Sequence, residues 1–145
     1  MRPADDLERR RLSDTCAALR ALPAQPEGTA ALALRVRQDL ADLGFAVDGD
    51  PAGAVPVSML CRLDGPAAEL PAGDAVVPSV VLGAPLGADA ALLLAVAHRA
   101  RVEPLPCGVE LLFAVDADEP DAPLASPDAR RLDSAYGFFL DHDGP

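Results

Sequence analysis

Tryptophan is absent from this chain of 145 residues, and aromatic side chains make up only 3% of it. A core built around large rings is therefore excluded, and Ala, Val and Leu must fill the interior. Long apolar runs are missing too. The longest, Ala90 to Ala97, falls far short of the roughly 20 residues that a spanning helix requires. The N-terminus is charged and has no apolar signal core, so a cytoplasmic chain is expected. Basic residues are few: 12 stand against 23 acids, for a net charge of −11. Such a surface repels phosphate backbones, which excludes nucleic acid as the expected partner. The excess carboxylate serves solubility and by itself identifies no substrate. The three cysteines, Cys16, Cys61 and Cys107, are an odd number without metal-type spacing and read as reduced thiols with no assigned chemistry. There is no P-loop and no GxGxxG turn, and Ser58, Ser79, Ser126 and Ser134 lack a Gly-flanked elbow, so no nucleotide-binding or serine-hydrolase motif is present.

What remains is a chain of one-domain size, residues 1–145, that is 50% hydrophobic and 24% charged, with 15 Pro and 11 Gly implying many loops. Asp5 to Leu22 reads as a first helix, with Leu7, Cys16, Leu19 and Leu22 forming its apolar stripe. Leu32, Val36, Leu40 and Leu43 mark a second helix, with Thr29 as its cap and Gly44 at a left-handed stop. Strands are expected at Phe45 to Val47, Val55 to Leu63, Val76 to Leu82, Val109 to Val115 and Tyr136 to Leu140. A Gly/Pro turn at Gly83 to Gly87 leads to Asp89 and a very apolar helix reaching about Arg101, and a short helix is expected near Asp128 to Leu132. No internal repeat interrupts this α/β rhythm. The class expected is a three-layer α/β sandwich on a mostly parallel mixed sheet.

Open α/β sheets bind ligands beyond the carboxyl ends of their strands. Three strands here finish in acids: Asp89 after the third, Asp116 and Asp118 after the fourth, Asp141 and Asp143 after the fifth. Carboxylates brought within a few ångström of one another repel unless a divalent cation holds them, so convergence would imply zinc, manganese or magnesium. The alternative, acids pointing separately into water, is equally compatible with the composition. His98 reads as a residue of the apolar helix near its C-terminal turn, where a cation suits the dipole. Tyr136 reads as core packing.

Gly108 to Asp118 (GVELLFAVDAD), Tyr136 to Pro145 (YGFFLDHDGP), Leu86 to Ala91 (LGADAA), Leu40 to Asp48 (LADLGFAVD) and Val57 to Gly65 (VSMLCRLDG) together resemble, in the right order, the zinc-dependent exopeptidases that include peptidase T, carboxypeptidase G and acetylornithine deacetylase. The resemblance implies the N-terminal part of that catalytic domain, without a lid or dimerisation domain. It also implies vestigial metal ligands at Asp89, Asp118 and Asp141, with His142 as a possible fourth. Ala117 stands where the family's general-base Glu would be, and Pro85 and Gly87 stand nearest to its HxD segment. Alanine accepts no proton. No catalytic residue is therefore assigned, and either no cofactor or a residual divalent metal, zinc, is expected.

The function expected is a metallopeptidase-like domain without hydrolytic activity, acting as a binding or assembly module. Two alternatives stand beside it: a metal-dependent aminopeptidase or amidohydrolase subunit active only with a partner chain, and a gene remnant or unrelated small α/β domain. A sheet edge left exposed would be covered by a second chain, so a homodimer or a protein partner is expected.

Overall fold

The structure is a computed structural model and describes residues 2–22, 26–51, 58–65, 79–114, 131–134 and 136–140. Among the described residues, three helices and five strands follow one another: α1 (Asp6–Arg20), α2 (Pro26–Asp42), β1 (Val47–Asp48), β2 (Met59–Leu63), β3 (Ser79–Pro85), α3 (Ala90–Val102), β4 (Gly108–Ala114) and β5 (Tyr136–Phe139).

α1 begins with a capping box. The Asp5 carboxylate accepts from the Glu8 backbone N–H at 2.9 Å, and the Glu8 carboxylate accepts from the Asp5 N–H at 2.9 Å, so two orphan donors of the first turn are satisfied reciprocally. Its expected stripe is corrected at one end. Leu19 is buried and Leu12, Cys16 and Leu22 pack on the core, but Leu7 is exposed because, at about 100° per residue, it lies off the face that Leu12, Cys16 and Leu19 share. In α2 the helix opens at Pro26 rather than at a Thr29 cap, since proline fits a first turn where no N–H is needed. Val36 and Leu40 are fully buried, as their spacing predicts, and Gly44 ends the segment at φ 84°, a conformation with a steric cost for any residue bearing a Cβ.

The sheet order is β1-β2-β4-β3-β5. β1 pairs antiparallel with β2, and β2 with β4. β3 runs parallel to both of its neighbours, β4 and β5. The sheet is thus mixed, with its parallel half at the β5 side, and the α/β class is as expected. Strand bounds shift by a few residues. β3 continues through Gly83, Ala84 and Pro85, which the sequence assigns to a turn; each of the three has a register partner in β4. Residues 76–78 of the expected strand, 55–57 of the one before it, and 128–130 of the expected short helix lie outside the described residues; Arg131 stands in a turn and Leu132 has no regular structure.

The helices pack against one face of the sheet. α3 carries Ala90, Ala91, Leu93, Leu94 and Ala97 into a cluster with Val36 and Leu40 of α2, Met59 and Cys61 of β2, and Leu111 and Phe113 of β4. Small residues on α3 allow close approach, and Leu and Phe fill the volume that larger rings would otherwise take. Cross-strand partners Leu60 and Leu112 are also buried, on the opposite face. β4 is therefore shielded on both sides, as its unbroken apolar run predicts. Burial pushes the Cys61 thiol up to about 11, which keeps it protonated and inert at neutral pH. Among the described residues, no helix is long and apolar enough to cross a membrane.

Candidate functional site

β3, β4 and β5 run in the same direction, so their carboxyl ends fall on one edge of the sheet. Pro85 is in register with Ala114, and Gly83 with Phe139. Beyond the strands, the Leu86 N–H still donates to the Ala114 carbonyl, and the Leu140 N–H to the Gly83 carbonyl, both at 2.8 Å. This edge is where the strand order reverses, from β3 out to β4 and back across to β5, and such switch points form crevices in open sheets.

Asp89 stands at this edge. It precedes the first residue of α3 with helical dihedrals, and its side chain makes no capping bond. Asp89 lines an open groove of about 570 Å³ between α1 and α3, together with Arg9, Cys16 and Arg20 of α1, Leu92 of α3 and Leu140. The groove is mostly apolar, with the two arginines toward the ends of the α1 wall. Asp118, Asp141 and His142 follow β4 and β5 directly in the chain, and these three candidate ligands, with Ala117 and Asp116, lie outside the described residues. Among the described residues, no group of three or more His, Cys, Asp or Glu side chains is gathered as a metal centre would require.

Between the end of β3 and Asp89 the chain offers Pro85, Leu86, Gly87 and Ala88, none of which has a side-chain donor. Zinc takes three or four nitrogen, sulfur or carboxylate ligands held in fixed geometry. The described part of this edge contributes one carboxylate and does not fit such a centre.

His98 is half-buried in α3, one residue before the last turn rather than within it. Burial pushes its imidazole below 6.5, and Arg11 adds to the effect against the weaker pull of Asp39. The charged form is therefore disfavoured, against the expectation of a cation serving the helix dipole. Tyr136 is corrected as well: it is 77% exposed rather than packed in the core, because β5 stands at the edge of the sheet among the described residues.

Among the described residues, the most constrained carboxylate is one the sequence reading passes over. Glu110 sits inside the apolar run of β4, 3% exposed. Its carboxylate accepts from the Asp133 N–H at 3.1 Å, the Ser134 N–H at 2.9 Å and the Ser134 hydroxyl, and it pairs with Arg62 Nε of β2 at 3.2 Å. Burial pushes its pKa up, but the Ser134 hydroxyl, the two N–H donors and the Arg62 guanidinium outweigh that and hold it below the ordinary 4.5. Arg131 extends the clasp, donating to the Ser58 carbonyl at 2.7 Å and to the Asp48 carbonyl at 3.0 Å, while its own carbonyl accepts from Arg62 at 2.7 Å. Residues 131–134 are thereby fastened across β1, β2 and β4. Glu110 lies four residues before the end of β4, about 13 Å from the carboxyl edge, so it anchors the approach to β5 and does not belong to the candidate site. The available signal was an acid within a strand otherwise apolar on both faces, which must find partners or not be buried.

The backbone resembles that of aminopeptidase PepT from Bacillus cereus, with a TM-score of 0.65 over 94% of this chain and 44% of that one, at 14% identity. It resembles a protein of Bacteroides vulgatus assigned as a zinc-dependent exopeptidase, with a TM-score of 0.61 over 94% of this chain and 59% of that one, at 15% identity. The fold is that of one part of these exopeptidases. A glutaminyl cyclase of Porphyromonas gingivalis matches similarly, with a TM-score of 0.59, 14% identity, and 94% and 58% of the two chains covered. The exopeptidase fold thus carries more than one activity among these proteins, and it does not by itself assign one here. The chain spans about half the length of the solved structures it matches. No family model matches it, and neither does any curated protein.

Proposed function

We propose that this chain is a metallopeptidase-like domain that has lost hydrolytic activity and serves as a non-catalytic binding or assembly module. The observation that carries this reading is the carboxyl end of β3. The central strand of the parallel half runs out into Pro85, Leu86, Gly87 and Ala88, at the place where an open sheet carries its ligand-binding side chains. Ala117, where the resemblance implies a general base, supports it from the sequence. Water held at such an edge would have no residue in that position to take its proton, and a missing base alone costs about 10² to 10⁴ in rate.

The test is direct. The purified chain, supplied with zinc or manganese, should leave di- and tripeptides uncleaved over hours, at the rate of a protein-free control. Turnover near 1 s⁻¹, within the ordinary range for enzymes, would overturn the reading.

One observation favours a second reading, in which a partner chain completes a metal site. The Asp89 carboxylate is not used in capping, and the residue lines the groove at the carboxyl edge. That reading requires stoichiometric zinc or manganese in protein purified without chelator, and a rise in Tm when metal is titrated into the stripped chain. A flat titration excludes it.

A further inference from the structure

Three of the five aromatic residues of the chain, Tyr136, Phe138 and Phe139, lie on β5. They are 77%, 67% and 44% exposed, and Leu140 beside them is 37% exposed. Among the described residues β5 has a strand on one side only, β3. Its apolar strip, residues 136–140, contains no charge, no proline and no bulge, the devices with which proteins blunt an edge strand. Other exposed apolar side chains, such as Leu7, Leu34 and Val102, lie one each on three different helices and are ordinary surface.

The backbone of β5 is ordered for further pairing. The Leu140 N–H points inward, donating to the Gly83 carbonyl. Successive residues of a strand alternate in direction, so Phe138 and Tyr136 also turn their backbone groups toward β3, while Gly137 and Phe139 turn theirs outward. Two residues therefore present an N–H and a carbonyl each to whatever lies beyond the edge.

We infer that a second copy of this chain covers this edge, β5 pairing antiparallel with its symmetry mate about a two-fold axis through Phe138. In that register Gly137 of each copy faces Phe139 of the other, and the four outward N–H and four outward carbonyl groups are joined in four hydrogen bonds. Phe138 meets Phe138 at the closer, non-hydrogen-bonded spacing, and Tyr136 lies opposite Leu140 on the helix-covered face. All five uncharged residues are matched with one another, and Asp133 stays outside the paired segment. The exposed side chains and strand backbone amount to about 500 Å² per copy, so the pair can bury at most about 1,000 Å², the lower bound for a specific interface. The dimer is accordingly a concentration-dependent one. Each copy carries −11, so association strengthens as salt screens the repulsion.

The inference rests on the assembly half of the functional reading and is independent of its catalytic half. Peptide hydrolysis by a dimer would overturn the latter and leave the former standing. Sedimentation equilibrium between 1 and 100 µM should show a transition from 14.9 kDa to twice that mass, shifted to lower concentration by 0.5 M NaCl. Phe138→Lys, which sets two cations face to face on the axis, should weaken association at least 10-fold while leaving the circular dichroism of the monomer unchanged. Phe138→Cys should oxidise to a covalent dimer through that position, because facing residues of a non-hydrogen-bonded pair lie within disulfide reach. A chain that stays monomeric at 100 µM in high salt overturns the inference. So does a dimer indifferent to Phe138→Lys, or one in which Phe138→Cys forms no cross-link, since either outcome places the interface elsewhere.

Discussion

β4 and β5 are two strands of similar character, apolar and aromatic, with opposite fates. β4 has β2 on one side and β3 on the other, helices over one face and a buried Leu60–Leu112 pair on the opposite face, and its Phe113 is fully buried. Among the described residues β5 has one neighbouring strand, and its Phe138 is 67% exposed. The hydrophobic effect acts equally on both side chains, so the difference lies in what each strand's place in the order offers as cover. An apolar strand inside the sheet stabilises the monomer; the same kind of strand at the edge is a surface for association.

The comparison is sharpest in side-chain truncation. Phe113→Ala should cost about 3–5 kcal/mol, a large fraction of the roughly 5–15 kcal/mol that holds an ordinary domain together, and should lower the urea midpoint accordingly. Glu110→Gln should come next, at about 2 kcal/mol, because it leaves two backbone N–H groups facing an amide that satisfies them poorly. The pH dependence has a definite sign. Because the folded pKa of Glu110 is held below 4.5, its contribution is fully present above the unfolded value and drains away as pH falls through the folded one. The variant should therefore show a flatter loss of stability below pH 4.5 than the native chain does.

A smaller effect is expected at Gly83→Ala, about 1–2 kcal/mol of overpacking. A Cβ there would run into the Phe139 ring, which lies over Gly83 from β5. Pairing it with Phe139→Ala should make the combined loss less than additive, a coupling that thermal unfolding of the four proteins in the cycle would reveal. At the bottom of the scale, Phe138→Ala should change monomer stability by no more than about 0.5 kcal/mol. A loss there comparable to that of Phe113→Ala would break the contrast between the strands.

Much of the fold was legible in the sequence because period and punctuation are local. The three- and four-residue steps from Leu32 to Leu43, the glycine after them and the unbroken run of β4 each state a structure that the neighbouring residues can enforce. Order along the chain also sufficed for the exopeptidase-like resemblance, which the backbone then matched in fold. The candidate site was legible only in outline. Asp89 was placed at a carboxyl edge by counting strands, but no pattern shows whether its carboxylate meets another. Glu110 was read as one letter in an apolar run, because its partners Arg62, Asp133 and Ser134 lie 48, 23 and 24 positions away.

By itself, then, the sequence determined which segments become helix or strand and which of their faces are apolar, since these follow from propensity and spacing over a few residues. Only the tertiary structure decided which apolar strand is covered and which stands at the edge, that Glu110 is a fully bonded anchor, and that Tyr136 faces water. Burial is a property of what other segments of the chain occupy the adjoining space, and that depends on strand order rather than on any residue's own chemistry.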